Sequence, residues 1–145
     1  MNPPENSSKG NRQKRAGKKR VSVSATPVEA GFPSPAEEYM EQPLDMNELL
    51  VQNSEATFMV RVSGRSMEDA GIFDGDILVV DKSVKALPGH IVVAVYNGEF
   101  TVKRLKKRGT SIILAPENPE FPDIVVEPEA DFRIWGVVRW ALHKL

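Results

Sequence analysis

The sequence predicts a mainly β protein: one small β-domain of about seven strands behind an extended, partly disordered N-terminal arm. Three observations predict it. From residue 57 onward, apolar residues recur with a period of two in segments rich in β-branched and aromatic side chains. Gly, Pro, Asp and Asn punctuate those segments at short intervals, leaving room for little helix. Residues 1 to 20 carry only Met1 and Ala16 as apolar side chains, too few to offset the entropy of ordering. With 145 residues, 41% of them hydrophobic, the chain can hold one domain with a modest core and hardly two.

Residues 1 to 27 read as a disordered basic tail. The first 30 residues hold seven basic side chains against Glu5 and Glu29, a net +5, while the remainder is net −6. Such a tail can contact nucleic acid through phosphates, and a merely solvated tail fits the composition equally well. A folded helix-turn-helix is excluded, since it needs several core residues. Residues 28 to 52 read as an arm and a short helix. Pro27, Pro33, Pro35 and Pro43 fix φ and push their neighbours toward extended geometry. Asp45 followed by Glu48 then resembles a capping box opening a helix over residues 45 to 51, with Leu44, Leu49 and Leu50 available for packing.

Residues 53 to 145 form the β-domain, with strands expected in "TFMVRVS", "DILVVD", "HIVVAVY", "EFTVKRL", "TSIILA", "DIVVE" and "FRIWGVVRWAL". Asn97-Gly98 sits between two of them, and a type I′ turn needs φ > 0 at both positions, so residues 90 to 105 read as a β-hairpin. No apolar run nears the roughly 18 residues of a membrane span, and the N-terminus lacks the apolar segment of a secretory signal, so a soluble, cytoplasmic protein is expected. Zero cysteines exclude disulfides and thiolate chemistry. His90 and His143 are the only histidines, and no metal or cofactor is expected.

Two places in the β-domain can carry chemistry. In "SGRSMEDAGIFDGD" a strand stops at Ser63-Gly64 and Ser66 follows on a tight turn, which suits a nucleophile with converging N–H groups. Most turn serines only cap or hydrogen-bond locally, and Glu68 breaks the G-x-S-x-G pattern. In "FTVKRL", Lys103 shares a strand face with Thr101 and Leu105, and Arg104 shares the other with Phe100 and Val102, so one of the two charges points somewhere less wet. Burial lowers a lysine's pKa and makes it a base, although strand lysines more often snorkel to water.

Taken together these segments resemble the LexA/UmuD group of self-cleaving serine-lysine proteins, most closely its UmuD branch, over residues 28 to 142. The resemblance rests on "SGRSMEDAGIFDGD", on "GEFTVKRL" placing Lys103 37 residues after Ser66, on "VEAGFPSPAEEY" placing Ala30 36 residues before it, and on "WGVV" near the end. It implies a LexA C-terminal-like β-domain in which Ser66 is the nucleophile, Lys103 the general base and Ala30–Gly31 the scissile bond of the protein's own arm. Tethering would supply a high effective concentration of that bond. The resemblance further implies stimulation by a RecA filament on single-stranded DNA, and a shortened homodimer that works with a translesion DNA polymerase subunit. Two rival bonds are disfavoured: Ala16–Gly17 lies among lysines and arginines, and Ala70–Gly71 lies in the nucleophile's own loop. Two other readings stand beside it: a non-catalytic β-domain that binds nucleic acid through its tail, and a hydrolase pairing Ser66 with His90 and an acid such as Asp76.

Overall fold

The computed structural model describes residues 21–24, 27–33 and 41–145; the basic tail before residue 21 lies outside them. The chain divides into two units, Met1–Met46 and Asn47–Leu145.

In the first unit, β1 (Val21–Ser24) pairs antiparallel with β2 (Glu41–Leu44), Val21 opposite Leu44. β1 falls within the stretch read as tail, and its "VSVS" is a short β-branched alternation of the kind that favours a strand. β2 likewise closes a stretch expected to be extended with few internal hydrogen bonds. Pro43 is tolerated there because a two-stranded ladder has only edge positions. Between the strands, residues 27–33 have no regular structure and bend at residues 30–32, with Val28 89% and Phe32 94% exposed. Helix α1 (Met46–Leu50) follows Asp45, within one residue of its expected limits. Among the described residues no helix is long and apolar enough to cross a membrane.

The second unit carries β3 (Thr57–Arg61), β4 (Ile77–Asp81), β5 (Ile91–Tyr96), β6 (Glu99–Arg108), β7 (Ser111–Ala115), β8 (Ile124–Val125) and β9 (Phe132–Leu142). All seven expected strands are present. They form one antiparallel sheet in the order β3-β4-β9-β5-β6-β7-β8. The β5–β6 turn has Asn97 at φ 50 and Gly98 at φ 81, the positive pair that the sequence demanded.

Successive residues of β5 feed opposite cores, which explains its unbroken apolar run. Val93 packs with Met67, Ile72, Leu78 and Val80, whereas Val92 and Ala94 pack with Leu105, Leu114 and Val137. Two irregularities shape β9. Its register shifts against β5 at Trp135 and against β4 at Arg139, adding one residue each time. Between them lies Gly136, where an added Cβ would sit 2.7 Å from Val80 Cγ1 and 3.0 Å from the Asp81 carbonyl oxygen. Only glycine lets β9 run this close to β4 while Trp135 is turned out of the ladder.

The order leaves two exposed backbone edges that matter for the site. β3 ends the sheet, pairing with β4 alone. The first half of β6, up to Lys103, pairs with β5 alone because β7 joins only from Arg104.

Candidate active site

β3 ends at Arg61, and the chain is stapled to the loop ahead of β4: the Val62 N–H donates to the Asp76 carbonyl and the Gly75 N–H to the Val62 carbonyl, both at 2.8 Å. The Gly64 N–H donates to Asp74 Oδ1 at 2.7 Å, fixing the turn that delivers Ser66. Met67 and Ile72, both buried, anchor the loop in the core on either side of a short 3-10 turn, Glu68–Ala70. From a neighbouring loop, Asn118 Nδ2 donates to the Arg65 carbonyl at 2.9 Å. Ser66 is therefore held by both its neighbours and sits half-buried.

Lys103 arrives from β6, opposite Val92 in the ladder, and is 9% exposed. Its Nζ donates to Ser66 Oγ at 2.9 Å, to Thr101 Oγ1 at 2.8 Å and to the Val102 carbonyl at 3.1 Å. All three acceptors are neutral, and among the described residues no carboxylate pairs with this amine. Burial, with nothing to compensate it, pushes the Lys103 amine below the ordinary lysine range. A neutral Lys103 can instead accept the proton of Ser66.

The two residues open onto a cleft of about 470 Å³ walled by Val60, Val62, Met67, Val93, Phe100 and Trp135. Trp135, turned out by its bulge, meets Phe100 edge-on at 4.7 Å between ring centroids. The β3 side and the unpaired half of β6 both face this cleft, so an extended peptide has backbone partners there. Among the described residues the backbone N–H groups of Ser66 and Met67 donate to no acceptor. Nucleophile, buried amine, free amides and an apolar groove with open strand edges are the parts that acyl transfer to an extended chain requires.

Comparison with known proteins identifies a family. The model of the family described as Peptidase S24-like matches residues 22–139. Protein MucA of Salmonella typhimurium is 48% identical over 116 residues, 79% of either chain. Protein SamA of the same species is 46% identical over 115 residues, again 79% of each. A LexA repressor of Bordetella avium is 43% identical over 110 residues, which span 76% of this chain and 51% of the repressor. The chain belongs to the Peptidase S24-like family, as a UmuD-like member of the LexA/UmuD group.

Within this peptidase family member the other sequence candidates go elsewhere. His90 Nδ1 accepts the Leu87 N–H at 3.0 Å. Asp76 accepts from the Phe73 N–H at 2.8 Å and lies 2.6 Å from His143 Nδ1. His90 and Asp76 thus belong to separate clusters, and the serine contacts the lysine. Ala30 and Gly31 lie in the exposed bend of the first unit. Sequence reading passed over Asp74 and Asn118, which hold the Ser66 turn, and Trp135 as part of the groove wall. Asp74 had no local signal for its bond, since its partner Gly64 lies ten residues earlier. Asn118 had none, being 53 residues from its partner.

Proposed function

We propose that this UmuD-like protein is a self-cleaving mutagenesis factor of the SOS response to DNA damage. The observation that carries the catalytic part is the 2.9 Å contact between Ser66 Oγ and the buried, carboxylate-free amine of Lys103. Neutral Lys103 takes the Ser66 proton, and Oγ attacks the Ala30 carbonyl carbon. The free amides of Ser66 and Met67 receive the charge on the carbonyl oxygen. Lys103 returns the proton to the Gly31 nitrogen as the Ala30–Gly31 bond breaks, leaving an acyl ester on Ser66. Water, deprotonated by the same amine, hydrolyses the ester. The exposed bend at Ala30–Gly31 supports the choice of substrate, because a protease cleft needs accessible, unpaired backbone.

Membership of the LexA/UmuD group supports the setting: stimulation by a RecA filament on single-stranded DNA, and a shortened homodimer that serves a UmuC-like translesion polymerase subunit in the cytoplasm. The basic tail adds a contact with nucleic-acid phosphates. Incubating the purified chain at about pH 10 deprotonates more Lys103 and is expected to yield a fragment whose N-terminal sequence begins at Gly31. A fragment beginning at Gly17 would refute the bond assignment. A chain that stays intact would favour the non-catalytic nucleic-acid-binding reading.

A further inference from the structure

Arg104 and Glu117 take no part in the scheme above, yet together they close a ring around it. Arg104 follows Lys103 on β6 and shares a strand face with Val102, which packs against the core cluster holding Met67, the residue after Ser66. Arg104 Nε pairs closely with Glu117 Oε1, and Arg104 Nη1 donates to the Gly89 carbonyl at 2.6 Å. Glu117 lies just past β7, and its backbone grips the nucleophile's turn. Its N–H donates to the Ser66 carbonyl and its own carbonyl accepts the Asp69 N–H, both at 2.8 Å. The path from Lys103 through Ser66 Oγ, the Ser66 carbonyl, Glu117 and Arg104 returns to the residue next to Lys103.

We infer that Arg104 and Glu117 are positioning residues that set the separation of Ser66 and Lys103 by holding the serine turn to β6. This rests on the serine-lysine reading above. The pair is half-buried, and ion pairs this open contribute little to overall stability, so its effect falls on alignment. Alignment is where a displacement of about an ångström is costly to rate. Among the described residues the charged side chains around the lysine are Arg61, which lines the same cleft, and Arg104 and Glu117 of the ring; Thr101 and Ser66 are neutral.

The test measures self-cleavage from about pH 6 to 11 and, separately, the titration of the Lys103 amine by side-chain NMR, in the full chain. Glu117→Gln keeps the backbone contacts and removes the ion pair. It is expected to slow cleavage about tenfold at neutral pH and to move the Lys103 titration upward as water reaches the amine, with melting temperature nearly unchanged. The reversed pair, Arg104→Glu with Glu117→Arg, is expected to recover most of the rate. Wild-type rate and an unmoved Lys103 titration in Glu117→Gln would overturn the inference. So would a slowing that follows a fall in melting temperature and is not restored by the reversed pair. If the wild-type chain cleaves at no pH, the dyad reading is what fails, and the Lys103 titration still decides the ring.

Discussion

Lys103 and Asp76 are both buried charged groups of the same domain, and their surroundings are opposite. Asp76, 2% exposed, receives the Phe73 N–H on one oxygen and meets His143 on the other. Burial alone raises its carboxyl, but the Phe73 hydrogen bond together with the hydrogen bond and charge of His143 holds it below the usual carboxylate range. Lys103, 9% exposed, has only neutral acceptors, and burial lowers its pKa unopposed. The carboxylate is a structural pin whose charged form the fold favours. The lysine's charged form is disfavoured, which is the condition for a base and a cost to stability.

Removing each charge should therefore have opposite consequences. The largest effect is on chemistry: Ser66→Ala and Lys103→Ala should each reduce cleavage by at least about a thousandfold, measured by appearance of the Gly31 fragment, while His90→Ala retains the rate. Cleavage in a folded Lys103→Ala at the original rate would break the contrast.

Next comes Asp76→Asn, which leaves a poorer acceptor in a buried site and should cost about 2–3 kcal/mol in urea unfolding. Because the folded pKa of Asp76 is depressed, its contribution is present above the unfolded value of about 3.9 and is lost as pH falls through the folded one. Acid titration of stability should lose that step in the Asn variant.

The smallest effect has the opposite sign. Lys103→Met should raise stability at pH 7 by about 1 kcal/mol while abolishing cleavage. Below its lowered folded pKa the wild-type protein bears the cost of a buried ammonium. As pH climbs from there to about 10.4, the unfolded chain holds more protons than the folded one and wild-type stability rises. The advantage of the Met variant should shrink over that window. An advantage independent of pH would mean that packing alone explains it.

Much of this was legible locally. Alternation in "TFMVRVS" and the β-branched run of "TSIILA" are properties of the segments themselves, and so is the φ demand of Asn97-Gly98, which is why all seven strands and the hairpin could be placed. The division of Lys103 from Arg104 follows from the same period of two. β1 was harder: four residues of "VSVS" beside a run of basic charge carry too little pattern to outweigh their neighbours, and pairing with β2 is what makes them a strand. The bulge at Trp135 was also hidden, since the register of β9 depends on two flanking strands at once.

By itself the sequence determined the strands, the turn between β5 and β6, the two candidate residues and, through its resemblance to a known group, the roles expected of them, because these depend on short-range pattern and motif. Only the tertiary structure decided that Ser66 and Lys103, 37 residues apart, touch at 2.9 Å, that no described carboxylate neutralises the lysine, and that Glu117 meets both the Ser66 carbonyl and Arg104. Those facts arise where β6, the β3–β4 loop and the segment after β7 converge. The order of strands in a sheet sets such distances, and no local periodicity encodes them.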